Sequence, residues 1–139
     1  MDKVTIYTDG GARGNPGPAG AGAVIHHDGK TTEIKQFVGE HRTNNWAEYE
    51  AVEIALGRAL ELGLKGRDID FKLDSQLIVE QMKGNYKIKD PGLKEQAADV
   101  HSLLGNFGTV TFTHIPREEN KEADRLVNEA IDEEQVSGS

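Results

Sequence analysis

The stretch KVTIYTDGGARGNPGPAGAGAVIHH, residues 3–27, decides the fold. Residues 3–9 alternate between two faces in the way that a β-strand does, and Asp9 is the last residue of that predicted strand. Residues 10–20 are rich in glycine and proline, which indicates a turn region. Residues 21–27 predict a second strand, so the chain folds back on itself early.

A third strand is predicted at residues 31–39. Asp28-Gly29 separates it from the second strand, and this dipeptide is a strong signal for a tight hairpin. The first part of the chain is therefore predicted to form a three-stranded antiparallel meander.

The rest of the chain alternates between helical and extended patterns. Apolar residues recur at helical spacing over residues 45–62, and Gly63 is placed to end that helix. The further predictions are a strand at 68–74, helices at 75–83 and 91–104, a strand at 109–115 and a helix at 119–133. Strands four and five follow helices, so we expect them to lie parallel to the first strand. The fold class is α/β, with one domain over residues 1–134 and a disordered tail at 135–139.

Composition excludes some kinds of site and partner but does not by itself indicate a function. The chain has 139 residues and no cysteine, which excludes disulfides and thiolate metal sites. Neither a signal peptide nor an apolar run of membrane-spanning length is present, so we expect a cytoplasmic protein without membrane contact. The net charge of -8 argues against nucleic acid as a partner, because such binding usually rests on a basic surface. That objection is met only if metal ions and neutral amides hold the phosphates.

Four carboxylates occupy structurally special places. Asp9 and Asp74 end predicted strands one and four, which are natural neighbours where strand order reverses and where ligands bind in open α/β sheets. Glu48 lies in the first turn of the helix at 45–62, at the end of its apolar face, and Asp124 begins the last helix. Four converging acids repel one another, and hard divalent cations resolve that repulsion. Oxygen-only ligation suits Mg²⁺ or Mn²⁺.

Each acid also has a purely structural interpretation. Asp9 precedes two glycines and fits a turn, Asn45-x-x-Glu48 fits a capping box, Asp74-Ser75 fits an N-cap and Asp124 fits a helix-dipole acid. Each interpretation is reasonable alone. Four such coincidences at these strand ends and helix starts are less probable than one shared site.

The motifs together resemble the type 1 ribonuclease H family over nearly the whole chain. Its four motifs are similar to YTDGGARGNPGPAGAG (7–22), TNNWAEYEA (43–51), DSQLIVEQMKG (74–84) and NKEADRLVNEA (120–130). The resemblance implies an RNase H-like fold, a five-stranded mixed sheet flanked by helices. It also implies that Asp9, Glu48, Asp74 and Asp124 are the catalytic and metal-binding residues.

The implied activity is endonucleolytic hydrolysis of the RNA strand of RNA–DNA hybrids with two Mg²⁺ or Mn²⁺ ions, leaving 5′-phosphate and 3′-hydroxyl ends. By resemblance, one ion activates water and the other stabilises the departing 3′ oxygen. Asp9 is expected to bridge the ions, and Glu48 to contact the ribose 2′-hydroxyl that distinguishes RNA from DNA. The sequence leaves open the choice of metal and any action on double-stranded RNA. The absence of an evident interface predicts a monomer.

Further positions carry over by motif as contacts to the nucleic acid. They are Gly10, Gly11, Asn15, Thr43, Asn44, Asn45 and Gln76. Amides and hydroxyls can meet phosphates and groove edges without adding positive charge. Plain turn and cap chemistry is the alternative for 43–45, and tight turns are the stronger role for the two glycines.

The chain departs from the family pattern in two places. The stretch KGNYKIKDPGLK (83–94) is too short for the basic protrusion of many members, as in compact archaeal-type members, and this predicts weaker, salt-sensitive binding. An auxiliary group is expected before Asp124, and both His114 and Arg117 are candidates. We prefer Arg117, because His114 lies in a predicted strand and loops move more readily. Asn120 is predicted to cap the last helix, although it also competes with Asp124 for the fourth metal position.

Two other functions compete with ribonuclease H. A junction resolvase or an integrase core shares the fold, but TNNWAEYEA and the single-domain length favour ribonuclease H. A non-catalytic binding module is the third hypothesis, and the presence of all four acids counts against it.

Overall fold

The computed structural model describes residues 3–137, which form five strands, four helices and one 3-10 turn. The strands are β1 (Val4–Ala12), β2 (Gly17–His27), β3 (Lys30–Arg42), β4 (Ile69–Leu73) and β5 (Val110–His114). The helices are α1 (Asn44–Glu61), α2 (Gln76–Met82), α3 (Pro91–Leu104) and α4 (Lys121–Ser137), with the 3-10 turn at Arg117–Glu119 before α4. No helix within this described part is both long and apolar enough to cross a membrane.

The sheet has the predicted mixed topology, with strand order β3-β2-β1-β4-β5. The first three strands pair antiparallel, β4 pairs parallel to β1, and β5 pairs parallel to β4. The hairpin between β2 and β3 turns at Asp28 and Gly29, which have φ of 50° and 76°. Positive φ at both positions matches the right-handed twist of the flanking strands. The predicted meander and the predicted neighbours β1 and β4 are confirmed.

Helices cover the two faces of the sheet differently. Side chains alternate across a strand, so Gly10 and its partner Ala21 share one face, while Asp9 and its partner Gly22 share the other. A Cβ on Gly10 would meet α1, and a Cβ on Gly22 would meet α4. The main apolar core therefore lies on the α1 side, where α3 also packs against α1. Its largest fully buried side chains include Tyr49, Phe71, Leu56 and Ile69.

The first hairpin is longer than the sequence predicted. β1 does not end at Asp9 but continues to Ala12, and β2 begins at Gly17, so only residues 13–16 form the turn. Gly10 and Gly11 pair with Ala21 and Gly20 in the extended ladder. Glycines in this stretch indicate a turn by sequence, but their missing side chains instead let the two strands continue beneath closely packed helices.

The last helix is also longer than predicted. α4 runs to Ser137, so residues 135–137 are helical where a disordered tail was expected. The Ser137 hydroxyl donates to the Glu133 carbonyl at 2.9 Å, and Gln135 accepts from Arg13 at 3.4 Å. These side-chain contacts support a last turn that has little apolar content. Residues 138–139 lie outside the described part of the chain.

Candidate active site

Three acids from three separate elements meet at one edge of the sheet. Asp9 lies within β1, Glu48 on α1 and Asp74 directly after β4. Carboxylate oxygens of all three lie within 4.8 Å of one another. Asp9 and Glu48 are only 8% and 6% exposed. The sequence predicted these three side chains to share one crevice, and the structure brings them together.

Gly10 permits this close approach. An added Cβ there would lie 2.3 Å from the carbonyl carbon and oxygen of Ala47, so any side chain would push α1 away from β1. The Gly10 backbone N–H donates to Glu48 Oε1 at 3.3 Å. Gly10 therefore joins the strand of Asp9 to the helix of Glu48. Its role in this structure is close packing of backbone.

Asp124 completes the acidic group without belonging to the tight triad. It lies near the start of α4, half-buried, and lines a cleft of about 390 Å³ together with Asp9, Glu48 and Asp74. Asp124 also acts on Asp9 directly, because its charge and a side-chain hydrogen bond both raise the pKa of Asp9. Four acids from four elements thus face one cleft.

The electrostatics of the cluster fit a cation. Burial raises the pKa of Asp9 to about 7, a hydrogen bond from Glu48 opposes that rise, and the charges of Asp74 and Asp124 add to it. Burial, followed by the charge of Asp9, raises the pKa of Glu48 well above its ordinary value. Glu48 Oε2 is buried and has no hydrogen-bond partner. A buried, unsatisfied carboxylate oxygen among other acids is costly unless protons or cations neutralise it. The donor set is all oxygen, which fits Mg²⁺ or Mn²⁺.

Asn120 holds Asp74 in place, a contact that the sequence did not predict. Its side chain is 1% exposed, and its amide donates to the Thr8 carbonyl at 2.9 Å and to Asp74 Oδ2 at 3.3 Å. Asn120 directly precedes α4 and its carbonyl accepts from the Asp124 N–H at 3.1 Å, which is the predicted N-cap position, but its Oδ1 accepts no hydrogen bond, so the side chain does not cap the helix. The Asn120 amide orients a carboxylate, whereas Asp124 offers a carboxylate to the cleft.

Several predicted substrate contacts have local structural partners. Thr43 is the N-cap of α1 and accepts from the Trp46 N–H at 3.1 Å. Asn44 Oδ1 accepts from the Ala12 N–H at 2.8 Å, and Asn15 Oδ1 accepts from the Asn44 N–H at 2.9 Å. These bonds fasten the glycine turn to the start of α1. Asn44 and Gly11 also line the cleft.

The remaining cap and contact positions lie at helix starts. Asn45 is half-buried within the first turn of α1, so the capping box that begins at Asn45 is wrong. Gln76 is the exposed first residue of α2, and Ser75, not Asp74, is the N-cap of that helix. Asp74 is thereby left to the acidic cluster.

The two candidate auxiliary residues occupy different places. Arg117 begins the 3-10 turn after β5 and lines the acidic cleft. His114 is the exposed last residue of β5 and is not among the residues that line this cleft. A second arginine, Arg13, lines the cleft too, and no sequence pattern pointed to it.

The segment between α2 and α3 is short, as predicted. Residues 83–90 join the two helices without a helix of their own. Lys83, Lys87, Lys89 and Lys94 are all exposed. Gln81 Nε2 donates to the Lys87 carbonyl at 3.2 Å, which anchors this loop to α2.

Known proteins resemble this chain in both sequence and structure. Residues 7–130 match the family described as reverse transcriptase-like. Ribonuclease H of Methylococcus capsulatus is 32% identical, with the match covering 94% of this chain and 90% of that protein. A crystal structure of LC11-RNase H1 in complex with an RNA/DNA hybrid is 47% identical, with a TM-score of 0.89, and covers 95% of this chain and 99% of that one.

Other relatives are longer than this chain. A bifunctional protein of Mycobacterium tuberculosis is 42% identical over 94% of this chain, which spans only 36% of that protein. The solved structure of its N-terminal RNase H domain, as a fusion protein with maltose-binding protein, has a TM-score of 0.86. The chain thus corresponds to about a third of such a relative.

Proposed function

The chain belongs to the type 1 ribonuclease H family, and from this premise we propose that it is an endonuclease that hydrolyses the RNA strand of RNA–DNA hybrids. The observation that carries the proposal is the cluster of Asp9, Glu48 and Asp74, whose carboxylate oxygens lie within 4.8 Å of one another. Asp124 faces the same cleft. The hydrolysis leaves a 5′-phosphate and a 3′-hydroxyl.

The four acids hold two divalent cations, Mg²⁺ or Mn²⁺, in this proposal. When bound, such a pair supplies a polarised attacking water and stabilises the leaving oxygen. Asp9 lies centrally, because Glu48, Asp74 and Asp124 all interact with it. It is therefore the acid best placed to serve both ions.

Protons and cations compete for this cluster. Without a cation, the raised pKa values of Asp9 and Glu48 keep protons in the site near neutral pH. Cation binding requires that these carboxyls lose their protons. The Asn120 amide holds Asp74 Oδ2 by a hydrogen bond both with and without the cations in this proposal. Glu48 additionally accepts from the ribose 2′-hydroxyl, which selects RNA over DNA at the cut position.

Neutral side chains and only a few basic ones contact the substrate in this proposal, which reconciles nucleic-acid binding with the net charge of -8. Asn45 and Gln76 at two helix starts, with Asn15, Thr43 and Asn44 near them, offer amides and a hydroxyl to the hybrid. Gly10 and Gly11 place backbone at the cleft, where Gly10 packs against α1 and Gly11 leaves room for the hybrid to approach closely. Arg117 at the cleft rim assists the reaction as the auxiliary group. We further propose a cytoplasmic monomer, for which double-stranded RNA is a second substrate to be tested.

Cleavage of an end-labelled RNA–DNA hybrid tests the proposal. Wild-type chain is compared with Asp9→Asn and with Glu61→Gln, which removes an exposed acid from the same helix as Glu48. We expect metal-dependent cutting of the RNA strand by wild type and Glu61→Gln, and none by Asp9→Asn. Double-stranded RNA, single-stranded RNA and duplex DNA run in parallel define the substrate range. A hybrid left intact with either metal, while still bound, would instead identify a binding module.

A further inference from the structure

Arg13 connects the glycine turn to the far half of α4. It follows β1 directly, and its side chain is 39% exposed. Nη1 donates to Asp132 Oδ1 at 2.6 Å and to Gln135 Oε1 at 3.4 Å. Nη2 donates to Asn128 Oδ1 at 3.1 Å and to the Asn128 carbonyl at 3.4 Å. One guanidinium thus spans about two turns along one face of the helix.

The same turn is fastened to α1 on its other side. Asn15 accepts from the Asn44 N–H, and Asn44 accepts from the Ala12 N–H. The turn at residues 13–16 therefore joins the helix that carries Glu48 to the helix that carries Asp124. It also continues the strand that carries Asp9.

Part of the surface beneath α4 carries no side chains. Gly20 and Gly22 of β2 lie under the helix, where an added Cβ would lie 2.7 Å from the Val127 carbonyl and 2.5 Å from the Ala123 carbonyl. Two glycines present no side chain that could interlock with the grooves of the helix. Close packing then sets the height of α4 above the sheet, and polar contacts along the helix fix its position on the axis. Besides Arg13, these contacts are the ion pairs of Lys35 with Glu129 and Glu133 and of Arg125 with Glu33.

We propose that Arg13 is a positioning residue that sets Asp124 against Asp9 by holding α4 at Asn128 and Asp132. This inference rests on the proposed function of the acidic cluster. Asn128 transmits the constraint, because its Nδ2 donates to the Asp124 carbonyl one turn earlier at 3.0 Å. The extension of α4 through residues 135–137 gives Arg13 its last contact, at Gln135.

A direct contact between Arg13 and a substrate phosphate is the competing explanation, since Arg13 lines the cleft. All four hydrogen bonds described above point from its guanidinium to α4, which favours positioning. The two explanations make opposite predictions for Asp132. If Arg13 positions α4, removing the Asp132 charge weakens that contact and impairs the site. If Arg13 instead binds a substrate phosphate, removing the Asp132 charge frees the guanidinium for the phosphate.

The test combines metal binding with cleavage in a double-mutant cycle. Arg13→Gln, Asp132→Asn and the double variant are compared with wild type and with Arg58→Gln, which removes an exposed cation from α1. Mn²⁺ binding is measured by calorimetry without substrate, and hybrid cleavage is measured against Mn²⁺ and salt concentration. We expect both single variants to weaken Mn²⁺ binding by about threefold to tenfold, below the ~10–100-fold typical of groups that contact a metal ligand directly. We expect the double variant to lose no more than either single variant, with thermal stability nearly unchanged because the ion pair is exposed.

Two results would overturn the inference. One is Mn²⁺ binding by Arg13→Gln that equals that of wild type and Arg58→Gln. The other is wild-type activity in Asp132→Asn combined with a raised KM and a shallower salt dependence in Arg13→Gln, which identifies a phosphate contact. If wild type itself binds Mn²⁺ and cuts no hybrid, the proposed function fails while the cycle on Mn²⁺ binding still reports on Arg13.

Discussion

Gly22→Ala is predicted to destabilise the protein because α4 lies directly on β2 at that position. The added Cβ would lie 2.5 Å from the Ala123 carbonyl oxygen, 2.9 Å from Leu126 Cβ and 3.1 Å from the Val127 nitrogen. The closest of these is about 0.9 Å short of an ordinary contact of 3.4 Å. Two of the three atoms are backbone, so the helix itself has to move.

The expected size follows from two opposing terms. Replacing glycine by alanine within regular structure stabilises by about 0.5–1 kcal/mol through backbone entropy. Overpacking of this kind costs about 1–3 kcal/mol. Gly57→Ala is the matched control, since Gly57 lies inside α1 and nothing lies within 4 Å of its added Cβ. The control gains the first term without the second, so the two variants should differ by about 1–3 kcal/mol, or roughly 4–12 °C in Tm at this chain length.

Urea denaturation of the metal-free protein, followed by circular dichroism, measures the difference, and an unchanged m value shows that the folded state stays compact. Mn²⁺ calorimetry adds a second readout, because moving α4 moves Asp124 and should weaken Mn²⁺ binding in Gly22→Ala alone. Equal stability of the two alanine variants would refute the reasoning, since it would mean that α4 does not rest on β2 at this distance.

Three further predictions concern protons and buried polar groups. Burial and the neighbouring Glu50 and Asp99 raise the pKa of Glu53 to about 7, above its unfolded value. The contribution of Glu53 to stability is therefore full below about pH 4.5 and is lost as pH rises through about 7. In urea titrations Glu53→Gln should reduce the fall in stability over this range and Glu61→Gln should not, while the raised pKa values of Asp9 and Glu48 cause a fall that both variants keep. The raised pKa values of Asp9 and Glu48 predict that Mn²⁺ binding tightens as pH rises toward about 7 and that binding releases protons. Calorimetry in buffers of different ionisation enthalpy detects this proton release as a binding heat that depends on the buffer. A binding heat that is the same in every buffer would contradict the prediction. The Tyr49 hydroxyl donates to Gln81 Oε1 at 2.8 Å in the core. Tyr49→Phe should lower the free energy of unfolding by about 1–3 kcal/mol in urea denaturation, because it leaves that acceptor unpaired. An unchanged free energy of unfolding would show that Gln81 finds another donor.

Local patterns predicted the elements well where a periodic stretch and its end signal agree. A helix starting at Pro91 and ending near Leu104 was predicted, and α3 runs from Pro91 to Leu104, because proline favours the first position of a helix. The positive φ of Gly63 follows α1 as expected. The predictions failed where one residue type serves two purposes. Gly10 and Gly11 indicated a turn but continue β1, and Asn120 occupies the predicted N-cap position while its side chain donates to Asp74 instead of capping α4.

The sequence by itself determined the order of elements, the parallel and antiparallel pairing and the identity of the acids, because hydrophobic periodicity, hairpin dipeptides and motif spacing are local properties of the chain. Only the tertiary structure decided how closely those acids approach and which groups hold them. Asp9 and Glu48 are 39 residues apart in sequence, and their contact depends on the missing Cβ of Gly10 against Ala47. The contact between Arg13 and Asp132 spans 119 residues. Such contacts depend on how helices pack across a sheet, and no local sequence pattern encodes that distance.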